Sequence, residues 1–431
     1  MRFALRRAAA LAGAGLLLAG PALAGCGKSS GSSPAPAGTE PVTLTVNLFG
    51  DFDYKPLYEQ YKQTHPNITV KENITDYDTH HKNLKQHLTA GAGLADIEVI
   101  EIGQIAGFQG QASKFVNFLD QGVDPSTWTD QRVKDASSAD GKVLFGLGTD
   151  TGGLAMCYRP SLMKKAGLPT DPAALSAQMK TWDDFVNLGK TFQTKIGDRN
   201  VHWFDAASNV FNAIVAQAPQ GMYDASGNVI ADTNPDVKKA WDQTVAAIQA
   251  GESAGLAAFT PQWNTGFQKA GFATITCPAW MMSYIKANAP DTKGDWNVAT
   301  IPGTGGGNWG GSYLTIPRSG KHVQQAIELA KWLAAPEQQT LLFKTKGHFP
   351  AAQALWKTDD IINFKDDFFD NAPVGKIFSA AAENIKYQPL GAHAGEFGNA
   401  IGNALVSIEQ GKATPDAAWQ KAVADIKNIA G

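Results

Sequence analysis

Apolar and polar positions follow a regular order in the hundred residues after position 40. The segment 43–49 (TLTVNLF) alternates β-branched and polar residues and stops at Gly50-Asp51, which is typical of a strand. The apolar residues that follow are spaced as in a helix, and after them come short runs of β-branched residues that are typical of strands. The predicted elements are strand 43–49, helix 54–65, strand 68–71, helix 76–90 and strand 96–100. This alternation predicts a parallel α/β lobe.

Longer amphipathic helices follow further along the chain. Thr181 with Asp184 three residues later fits the N-cap of a helix that runs through Thr191. Further helices are predicted over 236–250 and 324–335 and from 414 onward, with a strand over 273–276. Three tryptophans on apolar helix faces are predicted to be core residues: Trp241, Trp332 and Trp419. No repeat of fixed period occurs, which argues against a solenoid or propeller.

The first 40 residues have the pattern of an export and anchoring segment. A basic cluster (Arg2, Arg6 and Arg7) precedes an uncharged apolar run, so residues 1–25 are predicted to be a signal peptide. The tetrad Leu23-Ala24-Gly25-Cys26 resembles the bacterial lipobox, in which the cysteine is lipidated. The alternative is an ordinary cleavage site at 22–24, with Cys26 incidental. Residues 27–40 carry no large apolar side chain and are predicted to be a flexible tether, so 26–40 would form a lipidated cysteine and linker.

Composition narrows the class of protein. Without the three arginines of the predicted signal, the chain has 34 basic and 40 acidic residues, so its net charge is negative. A nucleic-acid-binding protein would be expected to be basic. After Cys26 only Cys157 and Cys277 remain, and either a disulfide or two buried thiols is compatible with this count. About 390 residues exceed the size of a single hydrophobic core, which predicts two lobes.

Several ordered segments carry a family resemblance. They are GTDTGGLAMCYRPSLMKKAGLP from Gly148, TWDDF at 181–185, GGSYLTIP at 310–317, AIELAKWLAAPEQQ at 326–339 and HFPAAQALW at 348–356. Together they resemble the family 1 extracellular solute-binding proteins of ABC importers. The pieces at 101–103 (EIG), 277–285 (CPAWMMSYI) and 308–313 (NWGGSY) look most like the cellobiose and cello-oligosaccharide binders of actinobacteria. In this sequence Tyr158 is followed by Arg159-Pro160, whereas the family usually has Asn after this tyrosine.

The resemblance implies a fold and a role. The fold would be α/β, the type II periplasmic-binding-protein-like architecture of two lobes joined by hinge strands, with the ligand in the cleft between them. Lobe one would hold 41–150 plus 297–350, and lobe two 151–296 plus 351–431. The protein would be a monomer, anchored by lipid on the outer face of the cytoplasmic membrane. It would deliver an oligosaccharide to the permease subunits of an importer with a cytoplasmic ATPase, closing around its ligand by a hinge motion.

Aromatic and polar residues in loops are the candidate ligand contacts. Trp309 lies between glycines and Trp280 follows a predicted strand, so both could stack on sugar faces, although either could instead plug a lobe. Trp203 and Trp263 are lesser candidates of the same kind. The polar candidates are Asp150, Glu101, Asp205, Asn308 and Asp51. Carboxylates bind sugar hydroxyls with charge-assisted hydrogen bonds, while turn formation and helix capping are the alternatives for Asp150 and Glu101.

Catalytic and metal chemistry find little support in the sequence. A phosphate-binding loop and a G-x-S-x-G elbow are both missing from it, and His80-His81 does not form a zinc motif. We therefore predict no catalytic residue, no metal and no cofactor. The alternatives are a secreted glycoside hydrolase, whose two carboxylates can lie anywhere in a sequence, and a binder of a different oligosaccharide, a polyol or a peptide.

Overall fold

The structure is a computed structural model, and it describes residues 40–386 and 388–431. The predicted signal peptide, Cys26 and nearly all of the tether lie outside the described residues. Residues 41–431 form one compact unit. In the described residues, no helix is long and apolar enough to cross a membrane.

Nine strands occur in the described residues: β1 (Val42–Leu48), β2 (Ile68–Ile74), β3 (Ile97–Glu101), β4 (Gly146–Gly148), β5 (Leu154–Tyr158), β6 (His202–Phe204), β7 (Phe272–Pro278), β8 (Asn297–Ala299) and β9 (Ser312–Thr315). The α-helices there are α1 (Lys55–Thr64), α2 (Tyr77–Ala90), α3 (Ile102–Ile105), α4 (Asp130–Asp135), α5 (Pro160–Lys165), α6 (Pro172–Gln178), α7 (Trp182–Lys195), α8 (Ala207–Val215), α9 (Pro235–Gln249), α10 (Pro261–Lys269), α11 (Met281–Asn288), α12 (Val323–Leu333), α13 (Pro336–Lys346), α14 (Asp359–Ile362), α15 (Val374–Glu383), α16 (Ala394–Glu409) and α17 (Pro415–Ala430). Short 3-10 helices cover Ala106–Lys114, Phe118–Gln121, Pro125–Thr127, Pro290–Thr292 and Gln353–Leu355.

The first lobe is built on a five-stranded sheet in the order β2-β1-β3-β9-β4. Strand β1 pairs in parallel with β2 and β3, as the alternating pattern predicts. Leu44, Val46 and Leu48 are the inward positions of β1, and all three are fully buried. Strand β9 enters from much later in the chain and runs antiparallel to both β3 and β4, so the sheet is mixed.

The second lobe is built on a four-stranded sheet in the order β6-β7-β5-β8. Strand β5 separates two cores because successive side chains of a strand point to opposite faces. Met156 and Tyr158 face a core shared with α7, α8 and α9, while Cys157 faces a core shared with α10, α11 and α15. On that second face Cys157 forms a disulfide with Cys277 of β7, which resolves the alternative that the sequence left open.

The ends of the helices follow local chemistry. At the start of α7 the Thr181 hydroxyl accepts the backbone N–H of Asp184, and the Asp184 carboxylate accepts that of Thr181. This reciprocal capping box confirms the predicted helix start. The predicted helices at 236–250, 324–335 and beyond 414 correspond to α9, α12 and α17 within two residues at their starts.

The lobe ranges expected from the resemblance remain a prediction. Those ranges assign residues 297–350, which begin with strand β8, to lobe one. In the structure β8 pairs with β5 of the second sheet. The chain therefore changes sheet after residue 299 and before β9 begins at Ser312.

Candidate functional site

Three segments lie side by side where the two sheets meet, and we call them the crossing segments: 149–153, 300–311 and 347–352. The first is hydrogen-bonded to both others, since Thr151 N–H donates to the Phe349 carbonyl at 2.8 Å and Trp309 N–H donates to the Gly152 carbonyl at 2.9 Å. A Cβ atom on Gly152 would lie 1.9 Å from the backbone carbonyl oxygen of Trp309, so only glycine permits this close approach.

Asp150 and Asn308 bind the crossing segments together. The Asp150 carboxylate accepts the backbone N–H of Ser312 at 3.1 Å and the hydroxyl of Thr149 at 2.8 Å. The Asn308 side chain accepts the backbone N–H of Gly152 at 3.0 Å and donates to the Gly310 carbonyl at 2.9 Å. These bonds occupy one Asp150 oxygen and both polar atoms of the Asn308 amide, so the structure assigns both residues a role in the crossing segments.

A buried arginine supports the same junction from the first lobe. Arg132 of α4 donates a hydrogen bond to the backbone carbonyl of Asp150, and its guanidinium lies 4.9 Å from the ring centroid of Tyr313. The sequence analysis missed Arg132, because an arginine in a short polar helix shows no sign of being buried.

Three aromatic rings meet beside the crossing segments, and we call them the aromatic corner: Phe259, Trp280 and Trp309. The indoles of Trp280 and Trp309 lie at 77° with their centroids 5.3 Å apart. The Trp280 N–H donates to the backbone carbonyl of Trp309 at 3.0 Å, which holds the two rings in this relation. Phe259 lies nearly parallel to Trp280, at 24° and 6.2 Å, and at 67° to Trp309.

Phe259 is the exposed member of the corner and was missed by the sequence analysis. Its side chain is 55% exposed, and its backbone has a φ of +64°, a left-handed conformation that a large residue rarely adopts. Strain of this kind persists where the surrounding structure enforces it, and it concentrates at ligand-binding positions. In the sequence Phe259 is a single large apolar residue in a segment rich in Ala and Gly. A single residue has no periodicity, so the sequence did not indicate that Phe259 belongs to the site.

Three predicted ligand contacts are buried side chains of the second lobe. Trp203 and Trp263 are fully buried, and so is Asp205, whose carboxylate accepts the Trp263 indole N–H at 2.7 Å and the Asn209 amide at 2.6 Å. Burial raises the pKa of Asp205 to about 7. Trp263 packs under Phe259 with ring centroids 5.2 Å apart. These three side chains have no exposed surface in this structure, and their role as ligand contacts stays a prediction.

The first lobe contributes acidic and aromatic groups near the end of its strands. Glu101 ends β3 and caps α3, with its carboxylate accepting the Gly103 N–H at 2.6 Å and the Tyr77 hydroxyl at 2.9 Å. Burial raises the pKa of Glu101 to about 7. Asp51 is exposed and accepts the backbone N–H of Asp53 at 2.9 Å, as a turn residue does.

Asp53 connects elements from both lobes. Its carboxylate accepts hydrogen bonds from Lys346 of α13 at 2.7 Å and from Ser283 of α11 at 3.3 Å. Burial alone would raise its pKa, but the neighbouring His348, 3.7 Å away, and the hydrogen bond from Lys346 lower the pKa of Asp53 to about 2. Asp53 therefore remains a carboxylate at neutral pH and bridges β1–α1 of the first lobe to α11 of the second.

No group of three or more metal-binding side chains occurs in the described part of the chain. His80 and His81 are buried, and their ring nitrogens lie 2.7 Å from the Val99 carbonyl and 2.8 Å from the Tyr77 carbonyl. These two histidines are structural residues of the first lobe.

Two α/β lobes, joined by three crossing segments and flanked by one exposed and two partly buried aromatic rings, are typical of two-lobed ligand-binding proteins. The sequence profile described as "Bacterial extracellular solute-binding protein" matches residues 57–367. A solved structure titled "Extracellular solute-binding protein family 1" is 39% identical, with a TM-score of 0.79, over 91% of this chain and 100% of that one. The chain therefore belongs to the bacterial extracellular solute-binding proteins.

Two further relatives carry more specific names. The arabinooligosaccharide-binding protein of Bacillus subtilis is 26% identical over 372 residues, which are 81% of this chain and 82% of that protein. The ABC transporter associated binding protein of B. animalis subsp. lactis, solved with beta-1,6-galactobiose, has a TM-score of 0.74 at 21% identity, over 90% of this chain and 98% of that chain. At 21% identity, the similarity to the second of these two proteins is a similarity of fold alone.

Proposed function

We propose that this protein captures an oligosaccharide outside the cell and delivers it to an ABC importer. The observation that carries the proposal is the aromatic corner beside the crossing segments. Sugar rings present C–H faces that pack on aromatic rings, and hydroxyls that bind acids and amides. A relative named for arabinooligosaccharide binding and a fold neighbour solved with galactobiose support a carbohydrate as the ligand.

The proposed contacts come from both lobes. Trp280, Trp309 and Phe259 would pack on sugar faces, while Glu101 and Asp51 would bind hydroxyls from the first lobe. Asp150 uses one carboxylate oxygen for its hydrogen bonds to Ser312 and Thr149 and would bind a sugar hydroxyl with the other, and Asn308 would act by holding the crossing segments. Cellobiose or a cello-oligosaccharide is the ligand proposed from the sequence resemblance.

The proposed setting of the protein also follows from the sequence. Cys26 would carry the lipid that holds the protein on the outer face of the cytoplasmic membrane, with 27–40 as tether. The protein would act as a monomer and would present its closed form to permease subunits served by a cytoplasmic ATPase. Replacing Cys26 by Ser should move the protein from the membrane fraction to the medium, and unchanged fractionation would contradict lipidation.

The proposed function is tested by titrating residues 41–431 with sugars. Calorimetry and tryptophan fluorescence should show saturable binding of at least one among cellobiose, cellotriose, maltose, lactose, xylobiose, arabinobiose and galactobiose, and no binding of a peptide control. Trp309→Ala should weaken that binding, whereas Trp419→Ala on the distant α17 should not. Sugars recovered shortened after incubation would indicate a hydrolase instead, and a complete lack of sugar binding would refute the proposal.

A further inference from the structure

The two lobes also touch where α2 and α3 of the first lobe meet the first turn of α16 in the second lobe. Leu84 and Leu88 of α2 pack in the core around the first sheet. Phe397 and Ala400 of α16 pack in the core that α7, α8 and α9 share in the second lobe. We call the residues that meet between these two cores the interlobe contact: Lys85, Gln104 and Gly107 from the first lobe, and Ala392, Gly395 and Glu396 from the second.

An ion pair crosses the interlobe contact. The Lys85 ammonium lies 3.5 Å from a carboxylate oxygen of Glu396 and donates a hydrogen bond to the side-chain oxygen of Gln104 at 3.1 Å. The side chains of Lys85 and Glu396 are 36% and 39% exposed, so water screens their attraction only in part. This attraction exists only while the two lobes stay together.

A glycine in α16 permits the close fit beside the ion pair. A Cβ atom on Gly395 would overlap the side-chain amide nitrogen of Gln104, which is itself buried. A Cβ atom on Gly107 would lie 3.4 Å from the backbone carbonyl oxygen of Ala392. By contrast, a Cβ atom on Gly398, one turn further along α16, would meet no other element of the described chain within 4 Å. The close fit therefore belongs to the first turn of α16.

We propose that the interlobe contact is a latch, made entirely by the protein, that holds the two lobes together. The crossing segments join the lobes covalently, whereas the latch consists of non-covalent contacts that break when the lobes separate by a hinge motion. An interaction that exists in only one of two states shifts the equilibrium toward that state. Since every atom of the latch belongs to the protein, it favours closure around all ligands equally and raises affinity without selecting among them.

The test measures the separation of the lobes in residues 41–431 without any sugar, so it does not depend on the proposed function. Gln63→Cys on α1 and Gln420→Cys on α17 place one spin label on an exposed position of each lobe, and pulsed EPR gives the distribution of distances between the labels. The remaining cysteines of this part of the chain, Cys157 and Cys277, are joined in a disulfide and do not take the label.

Gly395→Leu inserts a side chain into the latch. Leucine is a better helix former than glycine, so the replacement does not weaken α16. The ratio of long to short distances should rise at least about fivefold, as overpacking of a tight contact predicts. The matched control is Gly398→Leu on the same helix, which should leave the ratio unchanged because that position has room for a side chain.

Charge reversal tests the ion pair separately. Lys85→Glu and Glu396→Lys should each raise the ratio about threefold, because each replaces an attraction between the lobes by a repulsion. The two replacements together restore opposite charges and should return the ratio to the wild-type value. Lys82→Glu, at an exposed position of the same helix α2, should leave the ratio unchanged.

Distances that stay the same in wild type, Gly395→Leu and both single reversals would overturn the proposal, since Gln104 would then simply move aside and the lobes would not depend on this contact. Urea unfolding of every variant should remain cooperative, and long distances that appear only when this cooperativity is lost would count against the latch as well. Where a sugar binds in the titration above, Gly395→Leu should weaken every such sugar by the same factor. A factor that differs between sugars would show that the contact selects among ligands, contrary to the proposal, while the proposed function would stand.

Discussion

The replacement Asp205→Asn should make the stability of the protein less dependent on pH. Asp205 is fully buried and its pKa is raised to about 7, whereas an aspartate in the unfolded chain has a pKa near 3.8. The folded state therefore retains a proton that the unfolded state has already released, and stability falls as pH rises through this interval. The destabilising effect is nearly absent at pH 4, grows until about pH 7 and is constant above it.

The magnitude follows from the separation of the two pKa values. A difference of about three pH units corresponds to about 4 kcal/mol of unfolding free energy between pH 4 and pH 8. Asparagine cannot ionise, yet its side-chain oxygen can still accept the Trp263 indole N–H, and the Asn209 amide can rotate to accept the new N–H group. The variant should resemble wild type at pH 4 and be more stable than it at pH 8.

The assay is urea unfolding, monitored by tryptophan fluorescence at half-unit intervals of pH from 4 to 8. Asp242→Asn is the matched control, since Asp242 is exposed and pairs with Lys238 on the surface of α9. A variant that loses stability with pH as steeply as wild type would show that Asp205 does not retain its proton in the folded state. Since Asp205 lies beneath the corner, sugar affinity at pH 6 should change by less than about threefold.

Two other replacements test the frame of the protein. Replacing Cys157 and Cys277 together by Ser should lower the unfolding free energy by about 5 kcal/mol, because the disulfide closes a loop of 120 residues. Urea unfolding of the wild-type protein with and without reductant checks this, and identical urea midpoints would contradict it. Arg132→Met should cost about 3 kcal/mol, since it removes a charged donor to the Asp150 carbonyl and a cation over the Tyr313 ring. An Arg132→Met protein as stable as wild type would show that the junction does not depend on this contact.

Part of the regular structure could be predicted from sequence because its signals are local. The alternation of β1, the capping box of α7 and the proline start of α17 each depend on residues within one element. The mixed first sheet could not be predicted this way. The pairing of β9 with β3 and β4 joins residues more than 160 positions apart, and short β-branched runs do not encode their partners.

The candidate site was predicted in part for the same reason. Trp280 and Trp309 were recognised because indoles in loops lack a local packing partner, and the structure brings them into contact. Trp203 and Trp263 have similar surroundings in sequence, but their burial depends on helices packed over them from other parts of the chain. Phe259 is exposed and has a left-handed backbone conformation, and no local sequence pattern reveals either property.

The position of β9 determines the order in which the protein can be completed during synthesis. All four strands of the second sheet come from residues 154–299, so that sheet can assemble as soon as this stretch is available. The first sheet begins at residue 42, yet the position between β3 and β4 is vacant until Ser312–Thr315 is made. The sheet whose first strand is made first is therefore completed after the other sheet, and its unpaired strand edges must be kept from aggregating until then.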